Sequence, residues 1–129
     1  MIRILMAKLG GAGTESVMGL AKAFRDAGWE VIYTEIQKPE NIVASAIQEA
    51  VDHITITTFP GADLGQIARI KELLVEEGMP QIQITVSGYA NAGGAPALKE
   101  AGITEVFPAG TTNGEIVAWA RQNVKCCYN

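Results

Sequence analysis

Two patterns of apolar residues take turns along the chain. Short segments typical of strands occur at residues 2–7, 30–34, 54–59, 81–86 and 105–107. The first is nearly continuously apolar, as in a strand buried on both faces, and the third is rich in β-branched residues. Between and after them, apolar residues recur at helical spacing in the segments 17–27, 42–50, 64–74, 95–101 and 116–120. Such alternation requires a parallel sheet with right-handed crossovers. We therefore expect an α/β fold with a doubly wound five-stranded parallel sheet of order 2-1-3-4-5 and helices on both faces.

Residues that favour helix starts, and the end of the chain, complete this plan. Residues suited to the first turn or cap precede three of the helices: Thr14 or Ser16, Pro39, and Thr112 or Asn113. No shift in composition marks a boundary, so we predict one domain over residues 1–124. Residues 125–129 are predicted to form a frayed tail, in which the adjacent Cys126 and Cys127 stay reduced.

Four loops at the predicted carboxyl edge of the sheet are built from small residues. They are rich in Gly, Ala, Ser, Thr and Pro and span Gly10–Thr14, Phe59–Asp63, Ser87–Gly94 and Pro108–Thr112. Small residues let a backbone approach a ligand closely, and ligands of doubly wound sheets bind at this edge. The first turn alone leaves a binding site and a plain tight turn equally open. Together, the four loops predict a shallow floor of backbone groups and hydroxyls for a large flat or extended ligand.

Composition narrows the classes of partner. The chain has 129 residues and a net charge of −4, with no cluster of Lys and Arg, so we expect no nucleic-acid partner. No apolar run approaches the roughly 20 residues of a membrane span, so we expect no membrane partner. The segment Met1–Met6 is too short for a signal peptide. The predicted location is the cytoplasm.

Residue sets for ordinary catalysis are missing. The single histidine, His53, is expected at the start of the third strand as a half-exposed structural residue. One histidine and two terminal cysteines provide no metal site and no activated nucleophile. The acidic residues near the loops, Glu15, Asp63 and Glu115, each fall in a predicted first helical turn, where a carboxylate stabilises the helix. No catalytic residue is assigned, and we do not expect the chain to catalyse a reaction alone.

Two stretches resemble a known family. The segment Ile4–Gly10, and the segment Leu98–Ile103 continuing into Val106–Thr111, are similar to the cobalamin-binding domain of methylmalonyl-CoA mutase and of related acyl-CoA mutase small subunits. The resemblance extends along nearly the whole chain. It implies a flavodoxin-like (Rossmann-like) fold, cobalamin as cofactor and a mutase large subunit as partner.

The resemblance also implies a binding site, with one departure. The family carries Asp-x-His-x-x-Gly after strand one, whose histidine binds cobalt while the nucleotide tail of the cofactor enters a slot. Here the Asp and His positions fall on Ala12 and Thr14, so no protein ligand to cobalt is expected. The Ser-x-Leu and Gly-Gly motifs fall on Thr57, Phe59 and the pair Ser87-Gly88. The cofactor-binding residues implied are Gly11, Ala12, Gly13, Thr14, Thr57, Phe59, Ser87, Gly88, Gly110 and Thr111.

Three functions stay open at this point. The chain could be a small subunit or stand-alone relative of a B12-dependent isomerase that binds cobalamin without a histidine ligand. It could be a degenerate structural or regulatory partner of a mutase. It could also have reused its glycine loop for another small molecule, such as a nucleotide or an acyl-CoA fragment. A homo-oligomer through Trp119 and Tyr128 is a further expectation, with packing of Trp119 on the sheet as the alternative.

Overall fold

Strands and helices alternate along the chain as the sequence predicts. The computed structural model describes residues 1–11, 13–88 and 94–128. Within them lie β1 (Arg3–Leu9), α1 (Thr14–Asp26), β2 (Glu30–Thr34), α2 (Pro39–Gln48), β3 (His53–Thr58), α3 (Leu64–Glu76), β4 (Gln83–Gly88), α4 (Gly94–Glu100), β5 (Glu105–Val106) and α5 (Asn113–Asn123). The strands pair in parallel in the order β2-β1-β3-β4-β5. The predicted fold class and strand order are therefore confirmed.

Two apolar layers hold helices to the two faces of the sheet. On one face, Leu5 and Ile56 of the sheet belong to the same fully buried cluster as Ile67 of α3. On the other face, Met6 of β1 packs in a cluster with Phe24 of α1 and with α5. Burying one such side chain stabilises the fold by about 1.5–3 kcal/mol. Alternate residues of the central strands therefore face different helix pairs, and β1 contributes apolar residues to both clusters.

Several predicted element ends shift. Strand β4 begins at Gln83, two residues late, because the Ile82 N–H still donates to the Met79 carbonyl in a turn. The predicted side-chain cap of α1 by Thr14 or Ser16 is wrong, since Gly13 occupies the cap position and no side chain bonds there. Two other predicted helix starts are confirmed, since Pro39 opens α2 and Thr112 forms a reciprocal capping box with Glu115 on α5. Asp63, predicted in the first turn of α3, instead caps this helix and accepts from the Gly65 N–H.

A band of polar side chains crosses the middle of the sheet on the face covered by α1 and α5. Ile54 and Ile56 belong to the opposite cluster, so the alternating residues His53, Thr55 and Thr57 of β3 face α1 and α5. Thr85 and Ser87 of β4 lie beside Thr55 and Thr57. All five of these residues are buried, and they are called the polar band below: His53, Thr55, Thr57, Thr85 and Ser87.

The predicted half-exposed position of His53 is wrong, because the side chain is only 1% exposed. It lies on β3, the central strand, between β1 and β4. Its Nε2 is 2.9 Å from the Thr85 hydroxyl, which in turn lies 3.3 Å from that of Thr55. Burial lowers the pKa of His53 from its ordinary value of 6.5 to about 3, although the Asp52 carboxylate partly opposes this shift.

We predict that this histidine makes the fold sensitive to acid. Between about pH 6.5 and 3 the unfolded chain protonates the imidazole while the folded chain keeps it neutral. The free energy of unfolding should therefore fall as the pH drops through this window, by up to about 1.4 kcal/mol per pH unit from this group. Urea unfolding at several pH values measures the slope. His53→Gln, which can still bond Thr85 but does not titrate, should flatten the slope, and equal slopes would contradict the prediction.

The C-terminal tail is docked where a frayed end was expected. The Cys127 N–H donates to Asp52 Oδ1 at 2.8 Å, and the Arg3 N–H donates to Oδ2 of the same carboxylate at 2.9 Å. The frayed tail is thus wrong at Cys127, because Asp52 ties it beneath the amino end of the sheet. Both cysteines are free thiols. Trp119 meets the Phe107 ring edge-on at 5.5 Å, as the packing alternative predicts.

Candidate functional site

A cavity of about 220 Å³ opens at the carboxyl edge of the sheet. It lies between the ends of β3 and β4 on one side and helices α1 and α5 on the other. The residues that line it come from five separate segments: Ser16, Leu20, Thr57, Ser87, Gly88, Pro108, Gly110, Thr111, Asn113 and Ile116. Hydroxyls and one amide supply most of the polar groups, and none of the described lining residues carries a charged side chain.

The inner wall of the cavity is the end of the polar band. The Thr57 side chain is buried, and its hydroxyl oxygen has no hydrogen-bond partner among the residues described. Burying a hydroxyl without a partner costs about 1–3 kcal/mol. Ser87 lies beside Thr57 in the paired strand. An unsatisfied buried hydroxyl at the wall of an open cavity is suited to bond a polar atom of a ligand.

Gly88 ends this wall at a position that only glycine fits. Its φ is +90°, and a Cβ there would lie 2.5 Å from the Thr58 carbonyl oxygen. Both the dihedral angle and the contact exclude a side chain. Glycine is therefore required at the end of β4, where Gly88 lines the cavity next to Ser87.

The glycine turn after β1 lies at the same edge. Gly13 has a φ of +81°, and a Cβ there would collide with the Phe59 ring. Phe59 is partly buried against the cluster beneath α1 and α5. Thr14 begins α1 with an exposed side chain. Close approach of the Phe59 loop, together with the left-handed backbone, explains why this turn is rich in glycine.

The structure brings together half of the ten residues that the sequence singles out. Thr57, Ser87, Gly88, Gly110 and Thr111 line the cavity. Four others lie at the same edge but outside the cavity lining: Gly11, Gly13, Thr14 and Phe59. Ala12 lies outside the described residues. The ten assignments as cofactor contacts remain a prediction.

Sequence reasoning missed the helical walls of the cavity. Ser16 and Leu20 are four residues apart on α1, and Asn113 and Ile116 are three apart on α5. Such spacings place each pair on one side of its helix. In the sequence, each pair is visible only as a polar residue next to the apolar stripe of its helix. Identifying these residues as cavity walls also requires knowing that the first turns of α1 and α5 face the ends of β3 and β4.

A larger groove, of about 410 Å³, lies between α2 and α3 on the outer surface. Its floor is apolar and includes Val43, Ile47 and Leu73, with Glu40 and Glu77 at the rim. It lies on the other face of the sheet from α1 and α5, and no side chain that lines it is among the unpartnered buried groups of the described chain. Chemistry, rather than size, makes the smaller cavity the candidate site.

The described lining residues of the cavity provide no carboxylate, imidazole or thiol for acid–base or metal chemistry. Within residues 1–11, 13–88 and 94–128, no three His, Cys, Asp or Glu side chains are placed to hold a metal ion. His53 lies at the amino end of β3, roughly 16 Å along the strand from its carboxyl end at a rise of about 3.3 Å per residue. Of the helices described, none combines the length and apolar character needed to cross a bilayer. The arrangement is suited to binding.

Comparison with known proteins identifies the family. Residues 2–117 match the family model of the B12 binding domain. The 2-hydroxyisobutanoyl-CoA mutase small subunit of Aquincola tertiaricarbonis is 36% identical over 108 residues, which are 82% of this chain and 79% of that subunit. The methylmalonyl-CoA mutase large subunit of Streptomyces virginiae is 33% identical over 84% of this chain, but the match spans only 15% of that protein.

A solved structure agrees in fold. A cobalamin-binding protein from Desulfitobacterium hafniense superimposes with a TM-score of 0.79 at 15% identity, over 96% of this chain and 59% of that one. The family match covers most of the chain, including β1 to β5 and the lining of the cavity. This chain belongs to the family of B12-binding domains.

Proposed function

We propose that the chain binds cobalamin at the carboxyl edge of its sheet, as a small subunit or close relative of an acyl-CoA mutase. Family membership supports the cofactor class. One observation of this structure carries the placement: Thr57 lines the cavity, and its buried hydroxyl has no hydrogen-bond partner among the described residues. We propose that this hydroxyl donates a hydrogen bond to a ring nitrogen of the cofactor's nucleotide base.

The cavity fits one projecting group of the cofactor. Its 220 Å³ is below the roughly 300–1,000 Å³ of pockets that enclose whole small molecules. The tail base would enter the cavity while the corrin ring lies on the small-residue loops outside. Thr57, Ser87 and Asn113 would hold the base, and Leu20 and Ile116 would exclude water from its ring faces.

The cobalt side of the site departs from the family pattern. Thr14 stands in the position that the resemblance assigns to a histidine, and its neutral hydroxyl does not replace an imidazole. We propose that this chain provides no ligand to cobalt, so that its residues bind and orient the cofactor only. Adenosylcobalamin supplies radical chemistry when it is bound. A catalytic partner must then provide the acyl-CoA site.

A mutase large subunit is the proposed partner. A relative that this chain matches over most of its length is a small subunit, whereas another carries the matching region within a large subunit. A pull-down with a mutase large subunit tests this pairing.

Self-association through the region of Tyr128, whose side chain is 40% exposed, is a second proposal, tested by sedimentation. The two free thiols support a reducing, cytoplasmic location.

A thermal-shift screen separates this function from its alternatives. Cobalamin at about 100 times its Kd should stabilise the fold by about 2.7 kcal/mol, which raises Tm by about 10 °C for a domain of this size. A nucleotide or acyl-CoA should give no comparable shift. Stabilisation by nucleotides alone would favour a reused loop, and no shift with any ligand would favour a non-binding structural partner.

We predict that Thr57→Val separates binding from stability. Valine keeps the shape of threonine but removes the hydroxyl, so cobalamin affinity should fall about 5- to 15-fold through loss of one hydrogen bond. The free energy of unfolding of the ligand-free chain should stay level or rise, because an unpartnered buried hydroxyl is removed. Binding titrations and urea unfolding measure the two effects. A parallel fall of both would indicate that the hydroxyl serves the fold alone.

A further inference from the structure

The amide side chain of Gln37 clamps the glycine turn from the β2–α2 connection. Its Oε1 accepts from the Gly10 N–H at 3.3 Å, and its Nε2 donates to the Gly10 carbonyl at 3.2 Å. The side-chain amide of Gln37 thus makes two hydrogen bonds to the backbone of Gly10, one as acceptor and one as donor. The two residues are 27 positions apart in the sequence, so only the fold brings them together.

This pairing begins where sheet pairing on that side ends. The β1–β2 ladder closes with Ala7 opposite Thr34, three residues before Gly10. Beyond it, the Gln37 amide bonds Gly10 as a neighbouring strand would. Thr34 also orders the connection, since its hydroxyl accepts from the Ile36 N–H at 3.1 Å. The clamp is therefore an extension of the sheet made by a side chain.

The opposite side of the turn is held by the loop after β3. The Phe59 N–H donates to the Leu9 carbonyl at 2.9 Å, and the Gly11 N–H reaches the Pro60 carbonyl at 3.4 Å. Of these contacts, those of Gln37 are the ones made by a side chain, so a substitution can remove them. Gln37 does not line the cavity. Both polar atoms of the Gln37 amide are bonded to Gly10, so we expect Gln37 to act on a ligand through the turn.

We propose that Gln37 is a positioning residue, which holds the backbone of Gly10 and Gly11 in its binding conformation and thereby lengthens the lifetime of bound cobalamin. This inference rests on the proposed function. Without the clamp, the backbone of Gly10 and Gly11 leaves this conformation more often, and the ligand dissociates faster. Because substitutions at one interface act mostly on dissociation, the association rate should change little.

The test compares Gln37→Met with Gln48→Met, which alters an exposed glutamine on α2. Gln37→Met preserves length and removes both hydrogen bonds. Stopped-flow with hydroxocobalamin should show dissociation about 5- to 10-fold faster, with association within about twofold and the urea midpoint within error of Gln48→Met. In the ligand-free chain, hydrogen exchange at Gly10 and Gly11 should be faster in Gln37→Met only.

The outcomes distinguish the two hypotheses. Absence of hydroxocobalamin binding by the unmodified chain would overturn the proposed function, and the lifetime effect with it. Binding by the unmodified chain, with equal dissociation rates in Gln37→Met, would overturn the role of Gln37 and leave the function intact. A lower urea midpoint without faster dissociation would assign Gln37 to the fold alone and would likewise overturn its positioning role.

Discussion

Ser87→Leu should lower the affinity of the chain for cobalamin by about 100-fold. Ser87 is 5% exposed, and its side chain lines the cavity beside Thr57. A leucine at this position extends into the space assigned to the nucleotide base, so the base and the side chain compete for one volume. The fold should tolerate the change, because the added carbons enter a cavity that already exists.

A matched variant and two measurements make this prediction specific. Ser45→Leu introduces the same side chain on α2, in the helix layer on the opposite face of the sheet, and should bind as the unmodified chain does. Absorbance titration measures affinity, and urea unfolding reports stability. Unchanged affinity in Ser87→Leu with an intact fold would show that the base does not enter this cavity. Equal losses in the two variants would point to a general effect of added apolar surface.

Ala12→Asp combined with Thr14→His should create a protein ligand to cobalt. Thr14 is the exposed first residue of α1 at the carboxyl edge, where an imidazole has room. The added carboxylate is expected to orient that imidazole, an effect typically worth 10- to 100-fold, or about 1.4–2.8 kcal/mol, in metal affinity. The double variant should therefore bind cobalamin about 10- to 100-fold more tightly than the unmodified chain, and Thr14→His alone should gain less.

Electron paramagnetic resonance of the Co(II) form provides a readout independent of affinity. Labelling the double variant with nitrogen-15 should change the nitrogen hyperfine pattern, because the axial nitrogen then belongs to the protein. The same labelling should leave the pattern of the unmodified chain unchanged. An unchanged pattern in the double variant, together with unchanged affinity, would mean that the cofactor does not place its cobalt near position 14.

The fold follows from local patterns, but its exceptions come from contacts between distant segments. The nearly continuous apolar run of β1 and the β-branched residues of β3 predict buried central strands, and the alternation of strands with helices predicts the parallel sheet. The sequence predicts a half-exposed His53 because this residue stands at a strand end. Its burial depends on β3 being the central strand and on the Thr85 hydroxyl across the sheet. Docking of Cys127 depends on Asp52, which is 75 positions away in the sequence.

The sequence predicts only those residues of the site that belong to a local motif within one segment. Small residues after β1 and β4 mark the edge, and Gly88 is required there by its backbone and by the Thr58 carbonyl. The hydrogen bonds from Gln37 to Gly10 could not be predicted from the sequence, because a single glutamine after a strand belongs to no recognisable motif. The absence of an imidazole at Thr14, in contrast, is read directly from the chain. The domain limit at residue 124 stays a prediction.

Equilibrium titration of the purified chain with hydroxocobalamin, followed by absorbance, tests the central claim most directly. We predict saturable binding of one cofactor per chain with a Kd of about 10 μM or below, a free energy of about −7 kcal/mol. The Ser87→Leu variant in the same experiment should require far higher concentrations. No spectral change with the unmodified chain at about 100 μM cobalamin, a weak level for a dedicated cofactor site, would contradict the proposal that this chain binds the cofactor.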